Sequence, residues 1–332
     1  MSDSEGRPNK RFLELYRQLA KGNIGIIISG YAYVMPNGKS NPGQSGIYND
    51  DLIPAWQEVS KIVKGSGSLF LLQIVHGGRQ VRPKSNPGPI WAPSAVPDPV
   101  FKTQPLEMTE KEIKEVTNAF IQAAGRAKEA GFDGIQLHVA HGYLLSQFLS
   151  PYTNRRQDQY GGNQENRTRI VVEIIKGIKD NLEDQFLLSA KINGEDFLPG
   201  GLTLNQAIES AKFMKQAGLD FIEISGGMAE SKNGAVRRDI TTPGQEGYFR
   251  EHAKEVKRKA KISTASVGGY RSLEYITDTL NSENADFISL CRPFIREPEL
   301  LLKFENGESL KAACVSCNRC FNPKGLRCWH EA

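Results

Sequence analysis

The sequence predicts an α/β fold, a TIM (β/α)8 barrel lacking its first strand and followed by a short cysteine-rich C-terminal tail. Three observations predict it. Helical and strand patterns alternate along nearly the whole chain, which implies parallel strands joined by helical crossovers. The strands are continuous apolar runs, as expected where both faces of a sheet are covered. No G-x-G-x-x-G follows any strand, which disfavours a dinucleotide-binding Rossmann domain.

The first element is a helix over Pro8 to Lys21, with helical spacing at Phe12, Leu15 and Leu19. Ile24 to Ser29 is the first strand, Asp51 to Lys64 the next helix and Leu69 to Val75 the next strand. Thr109 and Glu112 form a capping-box pair. The helix they open carries Ile113, Val116, Phe120, Ala124 and Ala127 on one face, and Gly131 closes it. The strand from Gly134 to His138 follows. A helix over Glu165 to Asp180 leads to the strand Phe186 to Ile192, and a helix over Asn205 to Ala217 to the strand Phe221 to Ser225. A helix over Phe249 to Lys259 precedes the strand Ile262 to Val267. The last pair is a helix at Ser272 to Leu280 and a strand at Phe287 to Leu290. A closed barrel needs eight strand–helix units. These runs fall one strand short, and the chain opens on a helix. The absent piece is therefore the first strand.

Composition narrows the function. The chain has 332 residues and a net charge of +4 spread along its length, so no basic track suggests nucleic acid. No apolar run reaches the ~18 residues of a membrane span. The N-terminus is polar, without a signal-peptide core. The expectation is a cytoplasmic protein with no nucleic-acid or membrane partner, homo-oligomerisation being left open. Cys291 stands alone, and the other four cysteines crowd together as Cys314-x2-Cys317-x2-Cys320-x7-Cys328. In a reducing compartment such spacing favours metal ligation over disulfides. Thiolates so spaced suit iron–sulfur or zinc. Residues 1–305 are read as the barrel and 306–332 as the tail.

Three long loops, Gly30 to Asp50, Gly77 to Met108 and Gly226 to Tyr248, all follow strands and belong on one face, where loops form lids or substrate pockets. The strand Gly134 to Leu137 runs into His138-Val-Ala-His141-Gly-Tyr143. Side chains at the C-terminal end of a barrel strand face the active site. A single histidine there is more often a packed residue. Two imidazoles and a phenol together favour chemistry. The imidazoles offer N–H donors to one oxygen, and Tyr143 offers a proton.

These residues resemble the Old Yellow Enzyme family of flavin-dependent ene-reductases, in its NADH:flavin oxidoreductase and 2,4-dienoyl-CoA reductase branch. The resemblance runs from about Asp3 to Leu302 and is densest over His138 to Arg169. Further matching pieces are Leu19 to Gly22, Gln73 to Arg79, Lys191 to Asn193, Val267 to Gly269 and Arg292 to Ile295. It implies an eight-stranded barrel with FMN across its mouth, reduced by NAD(P)H and passing hydride from N5 to an α,β-unsaturated substrate. By resemblance Gln73 contacts the flavin pyrimidine and Lys191 stabilises charge near N1 and O2, where many members carry Arg. Gly268, Gly269 and Arg292 cradle the phosphate. Gly30 and Cys291 complete the cofactor set, Cys291 standing where the family usually has Gly. His138 and His141 hold the substrate oxygen and Tyr143 protonates the α-carbon. Asn154, Arg155, Arg156, Asp158 and Arg167 are read as structural ties. The branch also keeps a [4Fe–4S] centre after the barrel, where Cys314, Cys317, Cys320 and Cys328 lie, fed by a flavin domain. In this chain a separate electron-donor protein would do that. Two other readings remain open: an amine dehydrogenase or demethylase on the same barrel, and a non-catalytic flavin or iron–sulfur carrier.

Overall fold

The computed structural model describes residues 1–182, 185–322 and 325–330. Its strands are β1 (Ile26–Ile28), β2 (Ala32–Tyr33), β3 (Leu69–Val75), β4 (Trp91–Ala92), β5 (Leu106–Glu107), β6 (Gly134–Val139), β7 (Leu187–Asn193), β8 (Phe221–Ser225), β9 (Ser263–Val267) and β10 (Phe287–Ser289). The main sheet runs β1-β3-β6-β7-β8-β9-β10, parallel throughout, with β2 continuing beside β3. Among the described residues β1 and β10 do not pair, so the barrel is open on that side. The strands read from the apolar runs are all present. The short β2, β4 and β5 carry no such run and were not legible.

Helix α1 (Lys10–Ala20) precedes the strands; α2 (Ile53–Lys64), α3 (Glu110–Glu129), α4 (Leu144–Leu149), α5 (Gln164–Asn181), α6 (Leu204–Gln216), α7 (Arg250–Ala260) and α8 (Leu273–Asn281) lie between them, with α9 (Arg292–Arg296) and α10 (Leu300–Glu305) after them. The Thr109–Glu112 capping box opens α3 as expected, Thr109 N–H donating to Glu112 at 2.6 Å. Thr203 and Gln206 form a second box at α6. Inward faces of the helices meet the outer face of the sheet in one continuous apolar core. Phe12, Tyr16, Trp56, Phe70 and Phe132 pack ring on ring beneath β1 and β3. None of the described helices is long and apolar enough to cross a membrane.

Residues expected to be structural are so. Asn154 donates to the carbonyls of Phe148 and Tyr160, and Arg156 pairs with Asp158 and donates to Pro93 and Met108 carbonyls. Arg167 ties Gly162 to Gln164, and the Arg155 N–H donates to Ser94. After α10 the chain turns back along the barrel. Leu273 N–H donates to Leu310 O, and Ala312 N–H to Arg271 O, both at 2.9 Å.

Candidate active site

Register builds the site. It sets Gln73 opposite Gln136, His138 opposite Lys191, and Lys191 opposite Glu223. Alternate residues of a strand share one face, so Gln136 and His138, Lys191 and Asn193, and Glu223 and Ser225 repeat on the inner surface. A charged or polar residue is costly there unless hydrogen-bonded. Each of these has a partner.

His138 lies edge-on to His141, Tyr143 and Tyr31, with ring centroids 5.1, 4.8 and 5.9 Å away. Its Nδ1 accepts the Ala140 N–H at 3.4 Å, which leaves the ring proton on Nε2. His141 is in the left-handed region at φ +63°, where histidine is among the more tolerant residues. That turn is fixed by His141 N–H donating to Asn193 at 3.0 Å, and His141 Nε2 lies 2.7 Å from Ser225 Oγ. Gly142 follows at φ +82°, where a Cβ would meet Gln80 at 2.7 Å. Burial lowers the pKa of His138 well below the usual value, with His141 and Lys191 adding to it. Burial, then Lys191, brings His141 down to about 3. Both rings are therefore neutral. Tyr143 keeps some surface, yet exclusion of water from its hydroxyl raises its pKa well above the usual value, and Tyr31 adds to this. Its hydroxyl lies 3.3 Å from that of Tyr31. The cluster thus holds neutral donors at ordinary pH.

An open cavity runs from His141 and Lys191 past Tyr248 to Gly269, Cys291 and Arg292. Gly268 (φ +137°) and Gly269 (φ +73°) turn the backbone there, and a Cβ on either would press on Tyr248. This is a cradle that only small residues allow. Gln73 is buried, and no described residue donates to its Oε1. A cation at one end of the cavity and a glycine cradle at the other fit a ligand carrying a phosphate, and Gln73 is joined to that cation through Gln136 and Glu223.

Two expected contacts differ in detail. Arg292 is not a free clamp: its Nη1 donates to the carbonyls of Arg237 and Ser316 and to Asn318 Oδ1. Gly30 lies outside this cavity, with its N–H on the Tyr16 hydroxyl at 2.7 Å. Cys291 is exposed at the open edge. Cys314, Cys317, Cys320 and Cys328 line one cavity, and Arg292 and Ser316 line both it and the first. Among the described residues, no three His, Cys, Asp or Glu side chains converge on a single ion. Among the described residues this holds for an iron–sulfur cluster as it does for zinc.

The long loops do meet on this face. Arg79, buried after β3, pairs with Glu230 from the loop after β8 and donates to Pro97 O at 2.7 Å. Sequence reasoning missed Tyr31, Gln136, Glu223 and Ser225. For the last three a signal existed, since each is a polar residue at alternate spacing inside an apolar strand.

The family model described as NADH:flavin oxidoreductase / NADH oxidase family matches residues 1–311. An NADH oxidase of Thermoanaerobacter brockii is 35% identical over 99% of this chain and 51% of its own length. An NADPH dehydrogenase of Bacillus velezensis is 36% identical over 89% of this chain and 84% of its own. A solved 2-naphthoyl-CoA reductase in complex with 2-naphthoyl-CoA superposes with a TM-score of 0.89 at 29% identity. It covers 96% of this chain and 50% of that one. The chain thus spans about half the length of two of these three proteins.

Proposed function

Because the chain belongs to the NADH:flavin oxidoreductase / NADH oxidase family, which is the Old Yellow Enzyme family, we propose that it is an FMN-dependent NAD(P)H oxidoreductase reducing an activated C=C bond. The single observation that carries this reading is the cluster of His138, His141 and Tyr143, neutral and hydrogen-bearing, of which His141 lines the same cavity as Lys191.

Gln73, Lys191, Gly268, Gly269 and Arg292 would hold FMN, which when bound supplies hydride. The chain's own residues do the rest. His138, protonated on Nε2, donates to the substrate carbonyl oxygen. Where Ser225 donates to His141 Nε2, 2.7 Å away, the ring proton lies on Nδ1 and gives a second donor. Fixed donors are most effective where charge develops, here on the oxygen of the forming enolate. Tyr143 delivers the proton to the α-carbon. Its raised pKa keeps that proton available.

Tyr143→Phe tests the reading. Oxidation of the reduced enzyme by an enone should slow roughly 10²–10⁴-fold, while reduction by NADH or NADPH stays nearly intact. Equal slowing of both halves in stopped-flow would make Tyr143 a packing residue. Absence of FMN from protein reconstituted with it would remove the whole reading.

We infer a second element, a [4Fe–4S] cluster, from the four thiols lining one cavity, with zinc the alternative for the same ligands. The thiol-lined cavity and the cavity proposed for FMN share Arg292 and Ser316, so a cluster there would lie beside the flavin. Anaerobic reconstitution should load iron and acid-labile sulfide at about four each per chain, and Cys320→Ser should lose them. Stoichiometric zinc in their place would reject the cluster.

A further inference from the structure

The inner surface of the barrel carries one charge that the proposed chemistry does not use. Glu223 on β8 is 3% exposed. Its Oε1 accepts from Lys191 Nζ at 3.0 Å and its Oε2 from Gln136 Nε2 at 3.1 Å. Gln136 Oε1 in turn accepts from Gln73 Nε2 at 2.6 Å. Burying a carboxylate is costly unless it is paired and hydrogen-bonded. Here both oxygens are engaged, one by a cation and one by an amide.

This chain of bonds has only one polarity. A carboxylate paired with a lysine accepts and does not donate, so Gln136 must turn its NH2 towards Glu223. The Gln136 carbonyl then faces Gln73, and Gln73 must present its own NH2. Gln73 is then left with its carbonyl oxygen, to which no described residue donates, and with the second N–H of its amide. Rotating either amide would set oxygen against oxygen in a site closed to water, at the cost of an unmade buried bond. A neutral residue at 223 would impose no such order, because it can donate as well as accept.

We propose that Glu223 is a positioning residue that sets the amide polarity of Gln73 through Gln136, so that the Gln73 carbonyl oxygen is held out for a ligand N–H. The inference rests on the FMN reading above, in which the N–H is the imide group of the flavin pyrimidine. Glu223 also anchors Lys191, so one carboxylate orients both groups expected to face that ring.

The full chain, labelled with ¹⁵N at glutamine side chains, tests the relay in two arms. Without flavin, the Gln73 and Gln136 NH2 protons, assigned with Gln73→Leu and Gln136→Leu, should exchange at least about tenfold more slowly in the wild type than in Glu223→Gln. Equal exchange overturns the proposal, whatever the protein binds. With FMN, Gln136→Leu should weaken binding by about three- to tenfold. Adding Gln73→Leu to it should then cost little more, because the two act as one unit. An unchanged FMN affinity in Gln136→Leu also overturns the proposal. Wild-type protein that binds no FMN would instead reject the functional reading, and the first arm would still decide whether Glu223 orders the two amides.

Discussion

β3, β6, β7 and β8 form the middle of the sheet, and β1 and β10 form its edges. β6 and β8 are buried at every position, and β7 is a seven-residue strand paired on both sides. The edge strands have three residues each, and Phe287 at the start of β10 is 41% exposed. In the middle, two neighbours and two covered faces set every side chain, so His138, Lys191 and Glu223 fall into one register row. At the edges that constraint is gone, and other groups take over. The Gly30 N–H is met by the Tyr16 hydroxyl, and Arg292 is placed by the tail through Ser316 and Asn318. The chemistry-bearing cluster and the relay beneath it therefore rest on the rigid middle. The phosphate end of the cavity rests on the looser edge.

Hydrogen exchange should display the largest difference. Amides of Leu188 and Ile222 open only on global unfolding, while that of Ile288 opens by fraying. Roughly a thousandfold slower exchange in the middle is expected from a gap of ~4 kcal/mol. Rates within a factor of ten would mean that the edges are as well held as the centre. Cavity-forming substitutions should give a smaller contrast. Leu188→Ala should cost about 2–5 kcal/mol in urea unfolding, and Ile288→Ala, half-buried at the edge, less than about 1.5. Comparable losses would argue that another chain segment covers β10.

Acid should act on the middle with a smaller, graded effect. His76 is held down to about 3 by burial, and His138 well below its usual value for the same leading reason. Neither β1 nor β10 carries a histidine. With folded pKa values depressed, the unfolded chain binds more protons between the two values. For His76, stability is then fully present above about pH 6.5 and is lost as pH falls towards 3. It should contribute a slope of ~1.4 kcal/mol per pH unit inside that window. Comparing wild type with His76→Gln at pH 6 and pH 5 should remove about one such slope. An unchanged slope would mean that His76 takes up its proton in the folded state.

Much of this molecule was written locally. Alternating periodicities gave the strand–helix order, Thr109 and Glu112 the start of α3, and the polar run through Asn154 and Arg167 its structural ties. His138, His141 and Tyr143 were legible because three such groups cluster at one strand end. What stayed hidden depends on contacts across long stretches of chain: Gln73 to Gln136 over 63 residues, Gln136 to Glu223 over 87, and Tyr31 to Tyr143 over 112. The capture of Arg292 by the tail belongs with these. Periodicity reports which face of a strand is buried, and says nothing about which residue of another strand it will meet. Only register and the curl of the sheet bring those partners to hydrogen-bonding distance, and so only the tertiary structure could decide them.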